Sequence, residues 1–558
     1  MCSPSARQSA HPSALSGATS VAGRSAVWGQ VMATIVAQDC PMHGPELLLL
    51  LLGALLVTAV ARRVNWSAPL VLVGVGLAVS FLPGLPEFAL EPELILVLVL
   101  PPLLYSAALD SSYHNFRANL RPIGLLAVGL VLATTVAVGL VAHAVLPGLS
   151  VPAALVLGAV VAPPDAVAAV AIGRRLNLPR RTMTLLTGES LINDATALTA
   201  YKVAVAATLG ATASWGGSAW TFAVAAGGGA LVGLVVGVAV QAIRLRLGDG
   251  VLESALGLLV PFGAYLLAEE FGASGVLAVV VAGLYIGHNS PRTSYYTRLQ
   301  DTAVWRAVDV LLESFVFALI GLQLKTTAHA VQITSGLVWA ALAVLAATIA
   351  VRFLWMYPAA YLPRLLFKRI REREPSPGWR ATTVISWAGM RGVVSLAAAS
   401  ALPLDLPGRD VIVFCAFVVT VGTLLLQGLT LPWVIRKLGF RGDEERTDAL
   451  AEAQVQHAAA QAAVQRLDSL VEEGDGTPEH IVERLRIIAE HRGNAAWERL
   501  GRQERESPAA AYRRLRRTML EAERAVFVEA RDEGRIDDEV LVRVLRELDL
   551  EEAALSRE

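Results

Sequence analysis

The chain has 558 residues, of which 54% are hydrophobic and only 17% are charged. Soluble domains average about 25% charged residues, so this composition excludes an ordinary soluble globular protein and favours a polytopic membrane protein. The net charge of −1 says little, because the charges are unevenly distributed along the chain. The three cysteines, Cys2, Cys40 and Cys415, have no metal-ligand spacing and define no disulfide framework.

Shifts in composition divide the chain into three parts. Residues 1–44 are rich in Ser and Ala and have no long apolar run, which predicts a disordered N-terminal extension. Residues 45–438 contain the apolar sequence and form the predicted transmembrane domain. Residues 439–558 are rich in Ala, Glu and Arg, which predicts a cytoplasmic helical tail, with a dedicated regulator-binding module as the alternative.

Thirteen apolar windows, separated by short polar turns, are candidate membrane helices. In chain order they cover residues 46–61, 66–84, 94–110, 122–146, 152–172, 184–208, 220–243, 251–270, 274–288, 303–325, 335–363, 381–402 and 409–436. The tenth window carries Arg306, Asp309 and Glu313, and must therefore face protein rather than lipid. The predicted fold class is an all-α polytopic membrane protein of about thirteen helices.

Charged loops give the array an orientation. The loops after the odd-numbered windows carry eighteen Lys and Arg residues, whereas those after the even-numbered windows carry only Lys325 and Arg409. Because cytoplasmic loops carry the excess of basic residues, the odd loops are predicted to be cytoplasmic. The N-terminus is then outside, the C-terminal tail is inside, and the protein is a multi-pass component of the cell membrane.

The sixth window contains a carboxylate at predicted bilayer depth, Asp194. Leu191, Ile192 and Leu198 lie close to it in the sequence. Holding a charge at such depth costs at least roughly 2.5–3.5 kcal/mol, so Asp194 needs a proton, a counter-charge or a cation. A second acid, Asp165, lies 29 residues earlier in another apolar window. Two acids within the membrane predict a pathway for cations and protons.

Two windows contain residues that interrupt a helix. In the fifth, Pro163 and Pro164 remove two backbone donors directly before Asp165, although a proline kink that serves packing alone is the alternative. In the twelfth, Gly389 and Gly392 flank an arginine. Broken segments at corresponding positions predict a transporter site between two inverted repeats, windows 1–6 and 8–13.

The arginine in the twelfth window, Arg391, cannot lose its proton and therefore needs a carboxylate nearby. Glu189 is the candidate, and a Glu189–Arg391 ion pair would join the two broken regions as a structural link. A transport role for this pair is the less favoured alternative, because a locked ion pair cannot cycle its charge. Two further charges at membrane depth, Arg352 and Glu313, have no assigned counter-charge.

A cation site needs hard oxygen ligands. Asp194, Asp165 and Ser190 can supply them and are the predicted Na⁺ ligands, with carbonyl groups near Pro164. Ser190 precedes Asp194 by four residues and so shares its helical face. Asn193 projects differently, and either ligation or a hydrogen bond between helices fits its position.

Two motifs resemble the monovalent cation:proton antiporters, in the branch of the bacterial NhaP proteins and the sodium/proton exchangers. They are Gly188-Glu-Ser-Leu-Ile-Asn-Asp-Ala-Thr-Ala-Leu and Gly389-Met-Arg-Gly-Val-Val-Ser-Leu. The resemblance covers residues 46–436. It implies a homodimer with an elevator-like core domain, ion binding at Asp194, Ser190 and Asp165, and a structural Glu189–Arg391 pair. The Asn-Asp pair resembles the branch that exchanges one proton per cation.

The chain departs from this pattern twice. The family often has Thr-Asp-Pro in the fifth helix, where this chain has Pro164-Asp165-Ala166, and a threonine ligand is therefore missing. The third helix often ends Leu-Phe-Glu-Ala, where this chain has a serine, Ser106, in place of the glutamate. Both departures affect the expected affinity and the choice between Na⁺ and K⁺, but not the antiport mechanism.

The predicted activity is exchange of Na⁺, or K⁺ or Li⁺, for H⁺ by alternating access, with the ions as cargo and no cofactor. The sequence has no Walker-type glycine loop, HExxH or paired CxxC, so enzymatic activity has no support. The alternative is a sodium-coupled organic solute symporter on a similar fold, which would need a polar or aromatic substrate cavity. A channel is disfavoured, because no pore loop is repeated. The expected partners are membrane lipid, the transported ions and a second copy of the chain, with no nucleic acid.

Overall fold

A computed structural model of the chain describes residues 44–83, 95–210, 215–374, 376–440, 442, 444–472, 477–500 and 508–555. All regular elements in these ranges are helices, and the ranges contain no strand. The extension predicted for residues 1–44 lies outside the described residues except for its last position. The described chain forms two units, one running to Leu176 and from Arg181 to Phe440, the other comprising 177–180 and the residues from 441 onward.

The first unit is a helical assembly. Its main helices are α1 (Gly44–Arg63), α2 (Ala68–Val79), α3 (Ile95–Leu109), α4 (Leu120–Val145), α5 (Val151–Val161), α6 (Ala166–Arg175), α7 (Arg180–Thr208), α8 (Trp215–Leu247), α9 (Gly250–Glu270), α10 (Gly275–Asn289), α11 (Tyr295–Leu322), α12 (Ser335–Leu366), α13 (Trp379–Trp387), α14 (Val393–Ser400) and α15 (Arg409–Leu438). Short helical segments are Tyr113–Ala118, Ser290–Arg292, Leu324–His329 and Lys368–Arg373.

Each of the thirteen apolar windows overlaps one of these helices or a pair of them. Seven spans in the described residues are long and apolar enough to cross a membrane: Pro45–Arg63, Leu120–Val145, Phe222–Leu247, Gly250–Glu270, Tyr295–His329, Ser335–Leu366 and Arg409–Leu438. The fold is therefore helical with many apolar spans. A total of thirteen crossings and the relation by inverted repeats stay predictions.

The fifth and twelfth windows each contain two helices. Residues 162–165 separate α5 from α6, and residues 388–392 separate α13 from α14. The first break follows from Pro163 and Pro164, which have no N–H group to continue the helical hydrogen bonds. Glycines flank the arginine of the second break and lower the helical preference there.

Small residues allow close packing inside the unit. A Cβ added at Gly76 of α2 would lie 2.8 Å from the Ala318 carbonyl oxygen and 2.9 Å from the Gly321 Cα, both in α11. Glycines therefore let the two backbones meet, as is common between membrane helices. Outward faces are apolar instead, with exposed Leu52 on α1 and Leu231 on α8. Such faces suit a lipid environment.

The second unit contains α16 (Glu444–Glu472), α17 (Glu479–Leu500), α18 (Pro508–Asp532) and α19 (Asp538–Leu555). Helices α16 and α17 pack together, as do α18 and α19. Arg516 of α18 lies 2.6 Å from the Glu551 carboxylate of α19. The hydrogen bond from Arg516 lowers the pKa of the Glu551 carboxyl, so this pair stays ionised at neutral pH.

Candidate functional site

The two helix breaks meet through their backbones. The Asp165 N–H donates a 2.7 Å hydrogen bond to the Met390 carbonyl oxygen. In an unbroken helix this N–H would donate to Val161, four residues earlier. The Val161 carbonyl instead accepts a 2.6 Å hydrogen bond from Nε of Arg391. Each break thus satisfies backbone groups that the other has released.

Arg391 is held by backbone carbonyl groups. Besides Val161, its guanidinium donates to the Gly389 carbonyl oxygen, and its own N–H donates to Thr423 Oγ1 at 3.0 Å. The Arg391 guanidinium beside Val161 lies at the C-terminal end of α5, where the helix dipole favours positive charge. The side chain is buried, and it fixes the crossing of α5 with the break between α13 and α14.

Asp165 is positioned by both breaks. Its Oδ1 accepts a 2.8 Å hydrogen bond from the Val167 N–H and so caps the N-terminus of α6. Its other carboxylate oxygen packs against Gly392, where an added Cβ would overlap it. A glycine is therefore required at position 392 for the carboxylate to keep its place.

Helix α7 brings the remaining predicted residues to the same place. Asp194 is 6% exposed, and Ser190 lies one turn before it. Asn193 points elsewhere, because its Nδ2 donates a 2.7 Å hydrogen bond to the Pro164 carbonyl oxygen. The hydrogen bond between helices, one of the two roles considered for Asn193, is thus the contact observed.

A cavity of about 470 Å³ joins these groups. Pro164, Asp165, Ser190 and Asp194 all line it, whereas Asn193 does not. Five further segments contribute to its wall: α3, residues 110–116 after it, α6, α11 and the start of α14. Two aspartates, a serine and a proline therefore border one space, and their carboxylate, hydroxyl and carbonyl oxygens are the hard types that an alkali cation binds.

The predicted Glu189–Arg391 pair is wrong, because the structure pairs Glu189 with Arg352. Two guanidinium nitrogens of Arg352 donate to the Glu189 carboxylate oxygens at 2.5 and 2.8 Å, and both residues are 1% exposed. Nε of Arg352 also donates to the Ile385 carbonyl oxygen at 3.1 Å. The ion pair therefore joins α7 to α12 and to the end of α13, and Arg391 is left to the backbone carbonyls of the breaks.

Two acids of α11, which were not among the predicted site residues, line the same cavity. Asp309 accepts a 2.6 Å hydrogen bond from Ser106 Oγ of α3, and Glu313 lies one turn further along α11. The signal in the sequence is their place in an apolar window with three charged residues in its interior, which is too polar to face lipid. Which cavity they would face depends on how α3 and α11 pack, and that information is not in the local sequence.

Among the described residues, no group of three or more His, Cys, Asp or Glu side chains is arranged to hold a metal ion. The predicted Na⁺ ligands include only two such residues, Asp165 and Asp194, and the rest are hydroxyl or carbonyl oxygens. A site of this kind has the composition expected for a transiently bound alkali cation. It differs from the closed cluster of a resident structural metal.

The broken helices, the buried acids and the apolar spans define a polytopic membrane transporter. A family model described as sodium/hydrogen exchanger, transmembrane, matches residues 47–437, and the chain belongs to that family. An uncharacterized Na(+)/H(+) exchanger of Mycobacterium tuberculosis is 35% identical over 93% of this chain and 98% of its own length. The Na(+)/H(+) antiporter ApNhaP of Aphanothece halophytica is 33% identical over 74% of this chain and 77% of its own.

The fold also resembles a solved structure. The sodium proton antiporter MjNhaP1 from Methanocaldococcus jannaschii matches with a TM-score of 0.57 and 20% identity, covering 70% of this chain and 97% of its own. This likeness shows that the first unit of this chain has the same fold as that antiporter. The family is one of transporters rather than enzymes, and these comparisons give no support to the organic solute symporter.

Proposed function

We propose that this chain exchanges Na⁺ for H⁺ across the cell membrane, with Asp194 as the acid for which the two ions compete. The observation that carries the proposal is the cavity in which the buried Asp194 carboxylate faces Asp165 and Ser190. A buried carboxylate is stable only when its charge is neutralised, so it is occupied by a proton or by a cation. Loading one ion therefore requires release of the other.

Asp165 and Ser190 have supporting roles in this proposal. Asp165 adds a second carboxylate to the site, held in place by the Val167 N–H, and Ser190 adds a neutral oxygen one turn from Asp194. The Pro164 carbonyl has one lone pair engaged by Asn193 and a second available to a cation. Glu189 and Arg352 neutralise each other and serve as the rigid support of α7.

Access to the site fits an alternating mechanism. The cavity reaches Asp110 at the end of α3 and Arg174 at the end of α6. Both helix ends adjoin loops that the basic residues assign to the cytoplasm, so we infer an inward-facing conformation. Exchange then requires an elevator-like movement that carries the occupied carboxylate to the other side.

Two further features belong to the proposal. The exposed apolar faces of α1 and α8 are suited to lipid and to a second copy of the chain, and a homodimer agrees with the resemblance noted from the sequence. Transport is electroneutral, because Asn193 is neutral and hydrogen bonded, which leaves Asp194 as the acid that alternates between one proton and one cation.

The test is cation-driven proton movement in proteoliposomes containing the purified chain. Asp194→Asn should reduce Na⁺-dependent exchange to the level of empty liposomes, because an amide binds no proton and balances no cation. Asp165→Asn should impair exchange strongly, chiefly through cation affinity. Asp405→Asn changes an exposed aspartate outside the cavity and should exchange normally. Exchange by folded Asp194→Asn at the wild-type rate would contradict the assignment.

A further inference from the structure

Ser395 has a buried hydroxyl group without a hydrogen-bond partner. It lies in the first turn of α14, is 1% exposed, and its Oγ contacts no donor or acceptor in the described part of the chain. Buried hydroxyl groups are nearly always satisfied, because an unpaired one loses its bonds to water without replacement. An unpaired hydroxyl of this kind is free to bind a ligand where it borders a cavity, so the space next to Ser395 decides what it can do.

The helix break explains why this hydroxyl is unsatisfied. A serine inside a helix commonly donates to the carbonyl four residues earlier, as Ser386 does to Thr382 at 2.7 Å. For Ser395 the corresponding residue is Arg391, which lies in the unwound segment before α14. The local acceptor is thus removed by the same break that forms the candidate site.

The space next to Ser395 is the cavity of the buried acids. Ser395 lines it together with Gly392, against which the Asp165 carboxylate packs. Gly392 is the N-cap residue of α14 and Ser395 lies in its first turn, so both line the cavity where α14 begins. A hydroxyl group can rotate, and it can offer its oxygen to a cation or its proton to a carboxylate.

We propose that Ser395 Oγ is a further oxygen ligand of the transported cation. This inference rests on the proposed function, since it assigns one more ligand to the same site. With Ser395, the oxygen ligands of the cation come from α14 as well as from α7 and the α5–α6 break. Both broken segments then hold the cation. The hydroxyl carries no charge, and it therefore sets cation affinity and not the number of protons exchanged.

The test measures the KM for Na⁺ and the maximal exchange rate in proteoliposomes with full-length protein. Ser395→Ala should raise the KM about tenfold, which corresponds to about 1.4 kcal/mol, while saturating Na⁺ restores most of the rate. Ser395→Cys keeps the shape but replaces a hard oxygen by soft sulfur, and should raise the KM as well. If the alanine variant does not fold, the KM of the cysteine variant still tests the proposal.

The matched control is Ser254 of α9, which is buried, has an unpaired Oγ and lies outside the cavity. Ser254→Ala and Ser254→Cys should leave the KM unchanged. A second readout, which does not require transport, is the Na⁺ concentration needed to raise the Tm of the purified protein. This concentration should be higher for the Ser395 variants than for the wild type.

The outcomes separate the two proposals. An unchanged KM and an unchanged Na⁺-dependent Tm in both Ser395 variants, with Asp194→Asn inactive, would overturn the role of Ser395 and leave the exchange function intact. A lower maximal rate with an unchanged KM would also overturn it, since the residue would then serve the movement and not the ion. A wild-type chain without Na⁺-driven proton movement would contradict the proposed function itself, while the Tm measurement would still decide whether Ser395 binds Na⁺.

Discussion

At the scale of single residues, three buried charged side chains join the helices of the first unit, Arg352 through Glu189 and Arg391 through the Val161 carbonyl group. Glu189, Arg391 and Arg352 are all buried, as their apolar windows predicted. The predicted partner of Glu189 was wrong because Arg391 lies in a recognisable motif, whereas Arg352, the observed partner, lies in none. Arg391 instead donates hydrogen bonds to carbonyl groups that lack a helical donor because two helices are interrupted. The position of these carbonyl groups beside Arg391 follows from tertiary packing.

The ion pair can be tested by a double-mutant cycle on the free energy of unfolding. Glu189→Gln or Arg352→Gln alone should destabilise the purified protein by about 3–5 kcal/mol, because each leaves an uncompensated buried charge. The double variant should be milder than the sum of the two, with a coupling of about 0.5–3 kcal/mol. Reversible denaturant unfolding of the detergent-solubilised protein gives these values.

The matched comparison is the cycle between Glu189→Gln and Arg391→Gln. Its coupling should be smaller, because Arg391 donates to the carbonyl oxygens of Val161 and Gly389. If this second cycle had the larger coupling, the pairing seen in the structure would be refuted and the pairing inferred from the motifs restored.

At the scale of helices, local chemistry predicted where two of the membrane helices are interrupted. The Pro163-Pro164 pair and the glycines around Arg391 placed both breaks within a few residues, since proline and glycine act on the backbone wherever they occur. The spacing of four between Ser190 and Asp194 likewise predicted that one face of α7 would carry both. The missed acids, Asp309 and Glu313, reach the cavity through the packing of α11, which no local rule contains.

The contact between the breaks makes Gly392 sensitive to substitution. In Gly392→Ala the new Cβ would overlap the Asp165 carboxylate, so either the side chain or the break must shift. We expect Na⁺-driven exchange to fall on the order of 10²-fold, because small misplacements of reacting groups have effects of this size. Proteoliposome rates, with expression and size-exclusion profiles as a check on folding, measure the effect.

Gly378→Ala is the control for this substitution. Gly378 precedes α13, and an added Cβ there would meet nothing within 4 Å. Its exchange rate should equal that of the wild type. Normal exchange by Gly392→Ala would show that the close approach to Asp165 is not needed for transport.

At the scale of the whole molecule, the apolar windows predicted where the helices lie but not how they assemble. Every window overlaps helical structure among the described residues, because burial of apolar residues and the length of a bilayer span both act on continuous sequence. The cavity, in contrast, is built from helices and breaks that are far apart in the sequence. Its first and last lining residues, Leu100 and Ser395, are 295 positions apart. Side-chain pairing across such distances depends on the fold as a whole.

The balance of charge over a full cycle is a property of this whole assembly. If Asp194 alone alternates between one proton and one Na⁺, no net charge crosses the membrane, and the exchange rate in proteoliposomes should be the same at every clamped membrane potential. A second acid of the same cavity can break this rule, and Asp165 is the one proposed as a cation ligand, so it would add a second proton if its own were also released. Voltage would then drive transport, at about 2.3 kcal/mol per net charge for each 100 mV. Measurements at potentials set by K⁺ and valinomycin, after verifying that K⁺ itself is not exchanged, decide the matter, and an end point that follows the voltage would exclude one-for-one exchange.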